Sequence, residues 1–167
     1  HRGEGVYGAV FIAALGAAIP ATGSLDEALD RALIEIPDES ACAEAVHIGR
    51  RLSGQPGAVE ELHERYGDLS PVHTVNNLAL VVWSLCTGRD DYSTAIGEAV
   101  TGGWDTDCNG ATVGALWGLL GEEIPGHWTE PWGGRVALTL AGYGEVSLEE
   151  LVTRTVAVAE NLVAQDV

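Results

Sequence analysis

The sequence has no lysine: its basic residues are eight arginines, set against 25 aspartates and glutamates for a formal net charge of −17. That balance repels polyanions, so no DNA or RNA partner is expected. Cysteine is also scarce. Cys42, Cys86 and Cys108 are odd in number, far apart and form no C-x-x-C pair, which argues against a disulfide framework or a zinc ribbon and for a reducing, cytoplasmic setting. No cationic segment leads into an apolar run at the start. Gly, Pro or charge breaks each apolar stretch short of a membrane span, so no membrane partner is expected. There is no initiating methionine: the chain opens at His1 and enters "GEGVYGAVFIAALGAA" almost at once, as if already inside a fold. It is read as a portion of a longer chain.

Strand-like alternation bounded by turns is missing, whereas apolar residues recur at spacings of three and four nearly throughout. The expected class is all-α. At 167 residues the chain reads as one domain, able to bury about 70% of the surface its unfolded form would expose. Residues 5–18 predict a first, alanine-rich and central helix, stopped by Pro20 and Gly23. Two capping boxes mark further helix starts, Ser24 with Glu27 and Ser147 with Glu150. Between them the pattern predicts helices near 39–53, 57–66, 72–87, 92–101 and 108–120, with joints at 54–57, 67–71 and 121–134.

The stretch "GGWDTDCNGATVGALWG", residues 102–118, places Asp105 and Asp107 two apart at a helix entrance. Like charges so close need a cation, a proton or solvent between them. The run D-T-D-C-N-G matches the start of an EF-hand loop, but the twelfth position, which must be a bidentate glutamate, is Leu116 within a helical run. An EF-hand is thereby excluded. Two readings stay open: the carboxylates converge on an oxygen-loving cation such as Mg²⁺, Mn²⁺ or Ca²⁺, or they cap the helix and face water. Gly110, Gly114 and Gly118 share one helical face, which invites close approach by another helix.

The same stretch is similar to the C-terminal metal motif of the ADP-ribosylglycohydrolase family, in which a G-G-D-T-D-[ST] turn leads into a small-residue helix. "HRGEGVYGAVFIAAL" resembles the family's His-led G-x-x-G helix, "HTVNNLALVVWSL" its buried helix before the metal turn, and "IPGHW" the I-P-x-x-W that follows. The resemblance implies a multi-helix orthogonal bundle with a binuclear Mg²⁺ or Mn²⁺ centre. It implies cleavage of the glycosidic bond of ADP-ribose on a modified protein side chain or a small ADP-ribosyl compound. On matched positions Asp105 and Asp107 are the metal-ligating, catalytic carboxylates, with Asp107 the better placed to bridge two ions. The family's hydroxyl ligand is here Cys108, a poor donor to a hard ion, and Thr106, Asn109 or water can substitute. The family's other metal half, an [ST]-D-D triplet, is absent from these residues. That implies the C-terminal half of a domain, with its N-terminal half or self-association as partner.

The remaining candidates each carry a plain alternative. Tyr7 and Gly8 line the sugar pocket by family position, or pack the core. Asn76 and Asn77, next to His73, contact substrate or satisfy backbone groups at a helix start. Trp104 stacks on adenine, or joins Trp117, Trp128 and Trp132 in an aromatic wall. His1 is a pocket residue or a frayed end, and His47, His63 and His127 have no metal spacing and read as surface residues. Asp90 and Asp91 read as a helix cap. Cys108 as a nucleophile lacks an evident base. Two competing functions remain: a non-catalytic structural relative, and hydrolysis of another ribosyl or nucleoside compound.

Overall fold

The period-of-three-and-four pattern folds as helix almost throughout, and a computed structural model describes residues 2–165. The fold class is all-α, and the described residues fall into two compact units, one ending at Glu123 and one starting at Ile124. The first unit comprises α1 (Glu4–Thr22), α2 (Leu25–Leu33), α3 (Ala41–Leu52), α4 (Ala58–Tyr66), α5 (Thr74–Thr87), α6 (Tyr92–Thr101) and α7 (Thr106–Gly118). The second holds α8 (Gly126–Thr129), a 3-10 turn (Glu130–Trp132), β1 (Arg135–Ala137), β2 (Glu145–Ser147) and α9 (Leu148–Gln165). His1 lies outside the described residues.

The helix in the middle is α5, not α1 as expected. Eleven of its 14 residues are buried, because "VNNLALVVWSLC" is apolar on every side. It packs against α1, α3, α4, α6 and α7. Leu80, Val82 and Leu85 on it are fully enclosed with Phe11, Leu15 and Ile19 of α1 and Val46 and Leu52 of α3. Each such side chain stabilises the fold by about 1.5–3 kcal/mol. Close approach is bought with glycine at Gly49, where a Cβ would stand 2.6 Å from the Ala79 carbonyl oxygen.

Several boundaries differ from expectation for physical reasons. α1 does not stop before Pro20 but runs through it: the missing N–H forfeits one bond in the last turn, and Gly23, in the left-handed region at φ 66°, then closes the helix on the Ile19 carbonyl at 3.0 Å. At 19 residues it is long and apolar enough to cross a membrane, contrary to the expectation that every apolar stretch falls short. Within the unit it buries Phe11, Leu15 and Ile19 along one face, while most of its other residues are exposed or half-buried. Ser24 caps α2, accepting from the Glu27 N–H at 3.4 Å, while the Glu27 carboxylate turns to Arg31 at 2.7 Å. Only half of that capping box is formed. In the second unit Ser147 accepts from the Glu150 N–H at 3.3 Å.

The antiparallel pair β1–β2 was not legible in the sequence; it registers Val136 opposite Val146, with only Val146 of its residues buried. A three-residue strand with one covered position carries too little alternation to stand out.

Candidate metal centre

Residues 102–105 turn the chain from α6 into α7. Gly103 takes φ 86° and Trp104 φ 56°, and Trp104 is the one non-glycine with positive φ among the described residues. That conformation costs a bulky residue on the order of 1–3 kcal/mol, so neighbours must hold it. Two of them do. From α4, His63 donates its Nε2–H to the Gly102 carbonyl at 2.8 Å and lays its ring on the Trp104 indole, centroids 4.2 Å apart. From α5, Asn77 Oδ1 accepts from the Asp105 N–H at 3.2 Å and from Asn109 Nδ2 at 2.8 Å. Its Nδ2 donates to the Pro71 and His73 carbonyls, both at 2.8 Å. The Asn77 amide thus ties the start of α5 to the start of α7.

Asp105 occupies the N-cap position of α7, yet its carboxylate makes no capping hydrogen bond. Ser24, Ser40 and Asp91 at the starts of α2, α3 and α6 do cap. The plain reading of Asp91 as a cap describes its geometry; the same reading fails for Asp105. Backbone geometry at Asp105, φ −87° and ψ 71°, turns its side chain elsewhere. One ligand atom each from Asp105, Asp107 and Cys108 lies within 4.8 Å of the others, the one such cluster of His, Cys, Asp and Glu among the described residues. Asp107 and Cys108 are exposed and Asp105 half-buried. The Cys108 thiol is pushed above the ordinary thiol range, first by its hydrogen bond to Asp105 and then by the charges of Asp105 and Asp107. It therefore keeps its proton at neutral pH, which disfavours a thiolate nucleophile.

Beside the cluster, α1, α5 and α7 line an open cavity of about 540 Å³. Its walls are mostly apolar, with Gly8, Ile12 and Leu78 among them, and Asn77, Asp105 and Cys108 at the polar end. No arginine lines it. Gly8 is required for the close approach of α1 to α5, since a Cβ there would stand 2.3 Å from Thr74 Cγ2.

Compared with known proteins, residues 1–161 match the sequence model of a family described as ADP-ribosylglycohydrolase. The chain belongs to the ADP-ribosylglycohydrolase family. No curated protein and no solved structure matches it. Family membership indicates glycosidase activity of the ADP-ribosylglycohydrolase type, and the family is generally metal-dependent.

The donor set of this glycohydrolase can be tested against that requirement. Two carboxylates, one of them at a helix N-cap it does not cap, fit a divalent cation that prefers oxygen; the thiol is a softer third donor. The residues present therefore fit a metal, though three side chains are fewer than the roughly six ligands a hard ion takes.

The remaining candidates divide. Gly8, Asn77, Asp105 and Cys108 line the cavity, and Asp107 stands beside it on the exposed side of the cluster. Tyr7, Asn76 and Trp104 do not line it. Asn76 is fully enclosed, donating to the Ser70 carbonyl at 3.3 Å, so it has no face to offer a substrate in this conformation. Tyr7, adjacent to Gly8 on α1, is turned about 100° around the helix from it. Within the first unit Trp104 and Trp117 are apart: the Trp104 ring lies on His63, while Trp117 is buried, edge-on to Tyr92 and donating to the Gly88 carbonyl at 3.0 Å. The glycine stripe meets α6 at Gly110 and Gly114, where a Cβ would come within 3.4 Å of Val100 and 3.2 Å of Tyr92; Gly118 faces open space.

Sequence reasoning missed His63 as a support of the turn and Asn109 as a partner of Asn77. His63 lies 39 residues from Gly102 with no motif around it, so no local signal could have found it. Asn109 offered one: a buried amide on the first turn of a helix needs a partner.

Proposed function

We propose that the site performs metal-dependent hydrolysis of the glycosidic bond of an ADP-ribosyl group, on a modified protein side chain or a small compound. The observation that carries this reading is the Asp105 carboxylate, released from capping and converging with Asp107 and Cys108 at the polar end of a ligand-sized cavity. Asp105 and Asp107 would hold Mg²⁺ or Mn²⁺, with Cys108 as a third donor and the remaining ligands drawn from water, substrate or a further segment. Bound there, the cation supplies Lewis-acid stabilisation and an oriented water. The chain's own work is positioning. Asn77, accepting from the Asp105 N–H and from Asn109, fixes the start of α7 relative to α5, and the apolar wall of α1 limits water beside the sugar.

A second reading, hydrolysis of an uncharged ribosyl or nucleoside compound, is favoured by the absence of any arginine from the cavity lining. A diphosphate there would have to be met by backbone N–H groups and by hydroxyls such as Thr74 and Thr112. Both readings share the metal. Isothermal calorimetry of the chain with Mn²⁺ tests it: Asp107→Ala should weaken binding at least about tenfold, the loss of one charged ligand. Equal affinity in wild type and variant would refute the metal assignment. Hydrolysis of ADP-ribosylated peptide set against a plain riboside then separates the two substrates.

A further inference from the structure

Two supports hold the turn that carries Asp105, and only one of them, Asn77, belongs to the central helix. The other is His63, exposed on α4 and outside the cavity lining. A carbonyl oxygen only accepts, so the 2.8 Å contact with Gly102 requires that His63 carry its proton on Nε2. The same ring covers the Trp104 indole at 4.2 Å, and a Cβ on Gly103 would stand 3.8 Å from it. One side chain therefore touches Gly102 and Trp104, the residues on either side of Gly103, and it does so where the backbone is least favourable, at the left-handed Gly103 and Trp104. No helix hydrogen bond holds those two residues in place from the α7 side, since α7 begins at Thr106.

We infer that His63 is a positioning residue for the metal centre: by clamping Gly102 and Trp104 it keeps the turn in its strained form and so presents the Asp105 carboxylate to Asp107. The clamp itself stands on the geometry above, while its consequence for metal rests on the proposed role of Asp105 and Asp107. His63 touches neither cavity nor carboxylate, and its effect passes through the backbone of residues 102–105.

The test compares wild type, His63→Ala and His63→Gln in the full chain, the glutamine keeping a side-chain N–H to offer Gly102. Amide hydrogen exchange read by mass spectrometry should accelerate about tenfold for peptides covering residues 102–107 in His63→Ala, with α5 unchanged, and return most of the way in His63→Gln. Mn²⁺ affinity, read by calorimetry, should fall about fivefold in the alanine variant and recover in the glutamine one. Unchanged exchange at 102–107, or acceleration spread evenly along the chain, would overturn the clamp and leave His63 a surface ring. Faster exchange with unaltered Mn²⁺ affinity would overturn the link from the clamp to the carboxylates. Wild-type chain that binds no Mn²⁺ would refute the metal reading itself, and with it that link, while the exchange result still judges the clamp.

Discussion

Replacing Asn77 by alanine removes four hydrogen bonds at once, and the structure says which of them matter. The Pro71 carbonyl is exposed and can turn to water, and the His73 carbonyl keeps the Asn77 backbone N–H at 3.4 Å. The other two losses are harder to repair. Asn109 is only 3% exposed, so its Nδ2 becomes a buried donor without an acceptor, and the half-buried Asp105 N–H loses its partner as well. At about 1–3 kcal/mol for the buried orphan and about 1 for the partly buried one, Asn77→Ala should destabilise the first unit by about 2–4 kcal/mol. That corresponds to a fall in Tm of about 5–15 °C for a chain of this size. Thermal unfolding followed by circular dichroism measures it. In Asn109→Ala the unpaired donor is absent, so the double variant should lose about 1 kcal/mol less than the sum of the two single losses. A Tm fall under about 2 °C, or strict additivity, would refute the reasoning and return Asn77 to a substrate contact that carries no structural load.

Thiol chemistry offers an independent check: Cys42 and Cys86 are buried, with pKa values pushed up to about 12 and about 11, chiefly by burial, while Cys108 is exposed. Native protein should therefore show one thiol reacting with a disulfide reagent and three after unfolding. Because the thiolate is the reactive form and carboxylates raise the Cys108 pKa, its rate should climb only above the usual thiol range, and Asp105→Asn should shift that rise to lower pH. An unshifted profile would count against the contact. Glycine substitutions test the packing in opposite directions. Gly49→Ala drives a Cβ to 2.6 Å from the Ala79 carbonyl oxygen and should cost about 1–3 kcal/mol in urea unfolding. Gly97→Ala, exposed within α6 with nothing near its Cβ, should instead add about 0.5–1 kcal/mol.

The sequence alone determined what depends on neighbours a few residues apart. Helix type follows from apolar spacing, and the starts at Ser24 and Ser147 follow from a side chain reaching an N–H three residues on; both survive in the structure. The acidic pair and the small-residue helix after it were equally local, and so was the family resemblance built on them. Tertiary structure decided everything that turns on which helix meets which. It made α5 rather than α1 the centre, because an amphipathic count cannot say which of two apolar helices acquires neighbours on all sides. It spent Asn77 on the backbone and Asn109, enclosed Asn76, and turned Trp104 onto His63. Whether Asp105 caps its helix or leaves it uncapped was decided there too. Both outcomes use the same residue at the same N-cap position, and only the twist imposed on the turn by contacts from α4 and α5 tells them apart.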